Sequence, residues 1–229
     1  MVTLRGGWRA RLALGSIGVL SAMALTAHPA AAQILTYGFT DLRSDFTAGA
    51  PGTGTLNIMA VSASTGDVTR LVPTTQSALF VQDFVSGPDP ANVVLSLGLT
   101  GITASSAAAA GTFTITDING DTLTGNVTGL VAPLGGNAAL VGTLSNVLLN
   151  GSGNGIFEGT SGSFPMSFAG IATPPFSGAT NYLISIPAWF DQGSFTGAST
   201  QIQAQIVPEP AGLALLALGA LAVGRRRAA

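Results

Sequence analysis

The chain has 229 residues, 47% of them hydrophobic and 8% charged, with no cysteine and a formal net charge of −2. The missing cysteine excludes disulfides, thiolate metal ligands and a cysteine nucleophile. Its eight basic residues form no patch with aromatic neighbours, so a nucleic-acid partner, which needs clustered Lys and Arg against phosphate, is excluded too.

Met1 to Ala32 carries Arg5, Arg9 and Arg11, then an apolar stretch from Leu12 to Ala27, then Pro29-Ala30-Ala31-Ala32. Ala30 and Ala32 occupy the −3 and −1 positions before Gln33, the pattern of a secretory signal peptide. A signal helix over 1–32, export through the Sec translocon and removal by signal peptidase before Gln33 are expected. Ala10 separates Arg9 from Arg11, so the twin-arginine route is not indicated.

Between this segment and the last 23 residues the composition is different. Only Arg43 and Arg70 remain of the basic residues, lysine is absent throughout, and the single histidine, His28, falls in the signal segment. Against those two arginines stand Asp41, Asp45, Asp67, Asp83, Asp89, Asp117, Asp121, Glu158 and Asp191, a formal charge of −7. The 174 residues from Gln33 to Ile206 suffice for one domain with a substantial core.

Gly, Thr, Ser and Ala dominate this stretch, charged helix formers are scarce, and short apolar alternations recur between turn signals, so it reads as all-β. Leu56, Ile58 and Ala60 alternate with polar or solvent-side neighbours, and apolar runs at Ala78 to Val85 and Asn92 to Ile102 flank the loop Ser86-Gly87-Pro88-Asp89-Pro90. Thr103 to Ala110 (TASSAAAA) is the only helix candidate, and at under two and a half turns it reads as a loop or one short helix. Thr112 to Thr124 is the clearest hairpin. A three-residue loop Ile118-Asn119-Gly120, with Gly120 left-handed, sets Ile115 opposite Leu123 and Phe113 opposite Gly125; a two-residue turn would break that apolar pairing. Later strands are expected at Ala138 to Leu149, Gly162 to Ile171, Asn181 to Trp189 and Ala198 to Val207. Nine or ten strands at hairpin spacing predict an antiparallel β-sandwich or jelly-roll-like domain over 33–206. A parallel β-solenoid competes, because Gly-Thr and Gly-Asn pairs recur at 111, 125, 142 and 159, but their spacing is irregular. Phe39, Phe46, Phe80, Phe84 and Phe113 read as core.

Without His, Lys or Cys in this domain, Ser-His-Asp, Ser-Lys and Cys-His machinery and His-bound zinc cannot be assembled. Carboxylate chemistry is left. Asp41 with Asp45, or Glu158 with Asp191, are conceivable glycosidase pairs, and Trp189, Tyr182 and Tyr37 are the candidate stacking rings for a sugar. Asp117, Asn119 and Asp121 have the i, i+2, i+4 spacing of the first ligands of a calcium loop, although Thr122 stands where glycine should follow. The turn explains Asn119-Gly120 without an ion, but it sets Asp117 against Asp121, which is unfavourable unless solvated or bridged by a cation. Otherwise no cofactor is expected. Asn126-Val127-Thr128 fits a glycosylation sequon, a short pattern that arises often by chance.

The chain closes with Val207-Pro208-Glu209-Pro210, the uncharged run Ala211 to Gly224 and Arg225-Arg226-Arg227-Ala228-Ala229. Fourteen helical residues at about 1.5 Å each cover about 21 Å of an apolar layer about 30 Å thick, a short transmembrane helix. Pro208 and Pro210 favour an extended peptide before it, and the arginines favour the cytoplasmic side, which places Pro-Glu-Pro outside. The order of the three elements over 207–229 resembles the PEP-CTERM sorting signal. That resemblance implies exosortase as partner, Pro208, Glu209 and Pro210 as recognition element, and Arg225, Arg226 and Arg227 as membrane stop. It also implies a precursor in the inner membrane facing the periplasm and a mature form at the cell surface or in an exopolysaccharide or biofilm matrix. The expected role is that of a non-enzymatic surface or matrix protein; a secreted carbohydrate-binding module and a carboxylate-dependent hydrolase are the alternatives.

Overall fold

The computed structural model describes residues 33–87 and 90–208. The expected signal helix, Ala30, Ala32, Glu209, Pro210, the apolar helix 211–224 and Arg225 to Arg227 lie outside the described residues. The domain is all-β, with strands β1 (Leu35–Ala48), β2 (Thr53–Met59), β3 (Thr65–Arg70), β4 (Gln76–Phe80), β5 (Asn92–Thr100), β6 (Ala107–Thr116), β7 (Thr122–Leu134), β8 (Asn137–Asn150), β9 (Ile156–Glu158), β10 (Ser163–Pro165), β11 (Phe176–Ser185) and β12 (Phe195–Pro208). A single 3-10 turn, Phe190–Gln192, interrupts the strands among the described residues.

Eight strands run β1-β2-β5-β6-β7-β8-β11-β12, and β12 returns to pair with β1, closing an antiparallel barrel. The expected sandwich or jelly roll is therefore replaced by a barrel, and the solenoid by antiparallel ladders throughout. Closure depends on pairs such as Leu35 with Ile206, 171 positions apart in the chain, which no local pattern specifies. β1 makes it possible by changing partners midway. Leu35 to Thr40 pairs with β3, whereas Arg43 to Ala48 pairs with β2. The switch falls at a bulge where Asp41 has a φ of 57°, and that extra residue puts Phe39 and Leu42 on the same buried face three positions apart. The β3–β4 hairpin thus continues the barrel wall as a flap, and Thr160 and Ser161 cap its free edge through hydrogen bonds to Leu79 and Val81.

Alternate residues of each barrel strand fill the interior, which is closed by phenylalanines rather than left as a channel; Phe39, Phe46, Phe80, Phe84 and Phe113 are all buried as expected. Phe113 lies over its cross-strand partner Gly125, where a Cβ would come within 2.6 Å of the ring. The smallest residue is needed there because the ring occupies its space. Outward positions of β12 are Thr196, Ser199, Gln201, Gln203 and Gln205, and those of β5 include Asn92, Ser96 and Thr100, whereas β7 and β8 also expose Leu130, Leu134, Val141 and Leu148.

Several local expectations change. Ala107 to Ala110 forms the start of β6, not a helix or loop, because Ala107 and Ala109 point into the barrel while both neighbours, β5 and β7, supply ladder bonds. Of Gly162 to Ile171 only Ser163–Pro165 is strand, and Ala78 to Val85 ends as strand at Phe80. β11 stops at Ser185, and Trp189 then folds over the barrel end to donate its Nε1–H to the Thr103 carbonyl at 2.5 Å. β12 runs through Val207 to Pro208, two residues past the expected domain boundary.

Candidate functional site

The hairpin between β6 and β7 forms with the expected register, Ile115 opposite Leu123 and Phe113 opposite Gly125, and Gly120 has a φ of 86°. Asp117 and Asp121 face each other across it, but both are buried rather than solvated. Backbone N–H groups provide the compensation. Asp117 Oδ1 accepts from Asn119 and Asp121, each at 2.8 Å, and its Oδ2 accepts from Glu158 at 2.8 Å. Asp121 Oδ1 accepts from Gly153 at 2.5 Å and its Oδ2 from Gly155 at 2.9 Å. Five N–H donors thus hold two carboxylates, and the charges knit the turn to the glycine-rich loop 151–155 that leads into β9. Burial pushes the Asp117 carboxyl above the usual carboxylate range, with the charge of Asp121 adding to it and the three N–H bonds opposing it. The Asn119 amide points away from both and donates to Glu158 Oε2 at 2.7 Å. Of the three expected cation ligands, the structure brings two carboxylates together with their oxygens already bonded, and directs the third side chain elsewhere.

The expected catalytic pairs are not assembled. Glu158 lies on β9 beside the β6–β7 turn, at the end of the barrel where β1 begins, whereas Asp191 lies in the 3-10 turn between β11 and β12, at the opposite end. Asp45 accepts from the N–H of Gly197 at 2.8 Å and is engaged by Arg43 at 3.1 Å, and chiefly the first of these holds its carboxyl below the usual range; Asp41 sits exposed at the bulge. Trp189, Tyr182 and Tyr37 are buried, so the expected aromatic platform for a sugar does not exist: the three rings fill the barrel and its end. The hydroxyls of Tyr37 and Tyr182 lie near each other and near Thr180 inside the barrel and make no hydrogen bond, while the Thr180 hydroxyl donates to the Gln203 carbonyl at 3.0 Å. Burial raises both phenols, Tyr182 to about 12.

Of the expected sorting motif, only Pro208 falls among the described residues, and it lies on the barrel itself. Pro208 ends β12 opposite Phe176, and Ile34 donates to the carbonyl of Ile206 at 2.9 Å, so the first and last described segments of the domain lie side by side at one end. Gln33 at that junction donates its side-chain amide to Gln205 Oε1 at 2.6 Å.

A second arrangement lies on the outer wall, and no linear pattern announces it. The ladders place Leu130, Val141, Asn181, Gln203, Gly38, Asp67 and Leu79 in one row across β7, β8, β11, β12, β1, β3 and β4. Grooves follow this row. The best defined, of about 350 Å³, lies where Gly38 has no side chain between Asp67 and Gln203, with Thr36, Asn181 and Gln205 around it. Others flank Val141 on both sides and lie along Asp67 and Leu79. Asp67 Oδ2 accepts from the Thr69 hydroxyl at 2.7 Å, and among the described residues the side-chain amides of Asn181 and Gln203 make no hydrogen bond within the protein. The one hint in the sequence is the alternation Gln201-x-Gln203-x-Gln205 on β12. No family model, no curated protein and no solved structure matches the chain.

Proposed function

We propose that the chain is an exported, non-enzymatic surface or matrix protein of a Gram-negative envelope, processed by exosortase at its Pro208-Glu209-Pro210 motif. The observation that carries this reading is the order of that motif, the uncharged run 211–224 and Arg225-Arg226-Arg227, together with the signal-peptide pattern of 1–32. Two features of the barrel are consistent with it. The segments leading from Gln33 and to Pro208 meet at one end, so a barrel tethered through its last strand would stand on the membrane by that end with its wall free. A closed barrel with a packed interior suits a stable exported component that carries no disulfide. Two of its carboxylates are spent on holding a loop, and Glu158 and Asp191 occupy opposite ends.

The test is intact-mass and terminal mapping of the protein recovered from the envelope and matrix of its host. A form beginning near Gln33 and ending near Pro-Glu-Pro supports the reading. A retained 211–229 segment in the inner membrane refutes processing and leaves a membrane-anchored barrel.

A further inference from the structure

We propose that the outer-wall row from Leu130 to Leu79 is a binding track for a neutral polysaccharide lying across the strands. Seven strands at about 4.8 Å spacing give the row a contour of about 29 Å that curves with the closed wall, so its occupant is a chain that bends around the barrel rather than a single small molecule. Both flanks of β7, β8, β11, β12 and the first half of β1 are used by ladders, so the row offers no free strand edge to a peptide. It offers side chains instead. The amides of Asn181 and Gln203, the free Oδ1 of Asp67 and the Thr36 hydroxyl supply donors and acceptors at the centre, and the exposed Leu130, Val141 and Leu79 supply apolar surface at both ends. That alternation fits a polymer with hydroxyl edges and C–H faces.

Charge selects among such polymers. On β1, Arg43 lies five residues beyond Gly38 and is engaged by Asp45, while Arg70 is buried over the Phe168 ring, 4.7 Å from its centroid. A polyanion would meet Asp67 and the −7 domain charge with no cation to pair with, whereas a neutral glycan meets no such penalty. The notch at Gly38 supplies the depth. A Cβ there would come no nearer than 3.8 Å to Asp67 and 3.9 Å to Ile202, ordinary contact distances, so a side chain at this position projects into the groove. This track stands apart from the sorting proposal, which needs no ligand and supplies only the setting in which a glycan would be met.

The experiment is affinity electrophoresis of the full chain in detergent, in native gels cast with dextran, a galactomannan, a mixed-linkage β-glucan or alginate. Retardation by at least one of the neutral polymers and none by alginate is expected. Gly38→Val, which suits a strand and fills the notch, and Gln203→Ala should each weaken that retardation about 10-fold, a differential of about 1.4 kcal/mol, with an unchanged melting temperature. Absence of retardation by every neutral polymer overturns the proposal, as does equal retardation by alginate or by the Gly38→Val variant. Sedimentation showing that the wild type self-associates through this face, and that Gly38→Val abolishes the association, also overturns it and assigns the row to a second copy. Terminal mapping in the host is blind to all of these outcomes, so the two proposals fail separately.

Discussion

Replacing Asp121 tests whether buried charge at the β6–β7 turn is structural. Its carboxylate is fully buried and accepts two N–H bonds, from Gly153 and Gly155, which have no other role than to fix the loop into β9. Hydrogen bonds to a charged group contribute about 1.5–3 kcal/mol each, and in Asp121→Ala the freed N–H groups can reach water because the loop is at the surface, so the low end applies. The expected loss is about 3 kcal/mol, or roughly 6–12 °C in melting temperature for a domain of this size. Asp121→Asn keeps one acceptor oxygen and turns an amide donor on the second N–H, so about 1–2 kcal/mol is expected. Urea unfolding followed by tryptophan fluorescence gives both numbers, with an unchanged slope expected because the fold is retained. A melting temperature for Asp121→Ala within about 2 °C of the wild type would refute the reasoning. The same melts report on calcium: with five N–H donors already placed on the carboxylates, millimolar calcium is expected to leave them unchanged, and a rise reversed by a chelator would show that the ion replaces those donors.

Further expectations concern the barrel interior. Both tyrosines of the chain are buried with raised phenol values, so the unfolded state loses their protons first and stability falls as pH rises from about 10 through about 12; phenolate absorbance should appear only together with unfolding, and a reversible titration near pH 10 in the folded protein would contradict the burial. Tyr182→Phe deletes a buried hydroxyl that has no partner, and thermal melts should show equal or slightly higher stability; a loss above about 1 kcal/mol would reveal a bonded hydroxyl. Gly125→Ala drives a methyl into the Phe113 ring and should cost about 1–3 kcal/mol in urea unfolding, with little change refuting the close approach.

The β6–β7 hairpin was legible residue by residue, because the turn chemistry of Asn119-Gly120 and the pairing of Ile115 with Leu123 are local and agree with each other. The buried phenylalanines were legible for a similar reason, since alternation marks the inward face of a strand whatever the strand pairs with. The burial of Asp117 and Asp121 was not, as three of their five donors, the N–H groups of Gly153, Gly155 and Glu158, come from segments more than 30 positions away and are backbone groups that carry no signature in the side-chain sequence. Ala107 to Ala110 misled in the other direction. Alanine carries a helical preference in isolation, and two neighbouring strands overrode it with ladder bonds on both sides.

Sequence alone therefore determined the strand class, the exclusion of His, Lys and Cys chemistry from the domain and the two flanking segments that set the export expectation. Tertiary structure decided that the sheet closes into a barrel, that Trp189, Tyr37 and Tyr182 turn inward, and that Asn181, Gln203, Gly38 and Asp67 share one groove. The physical reason is the range of the information: a period of two and a turn are written in neighbouring residues, whereas closure and a row across seven strands depend on registers between segments up to 171 positions apart.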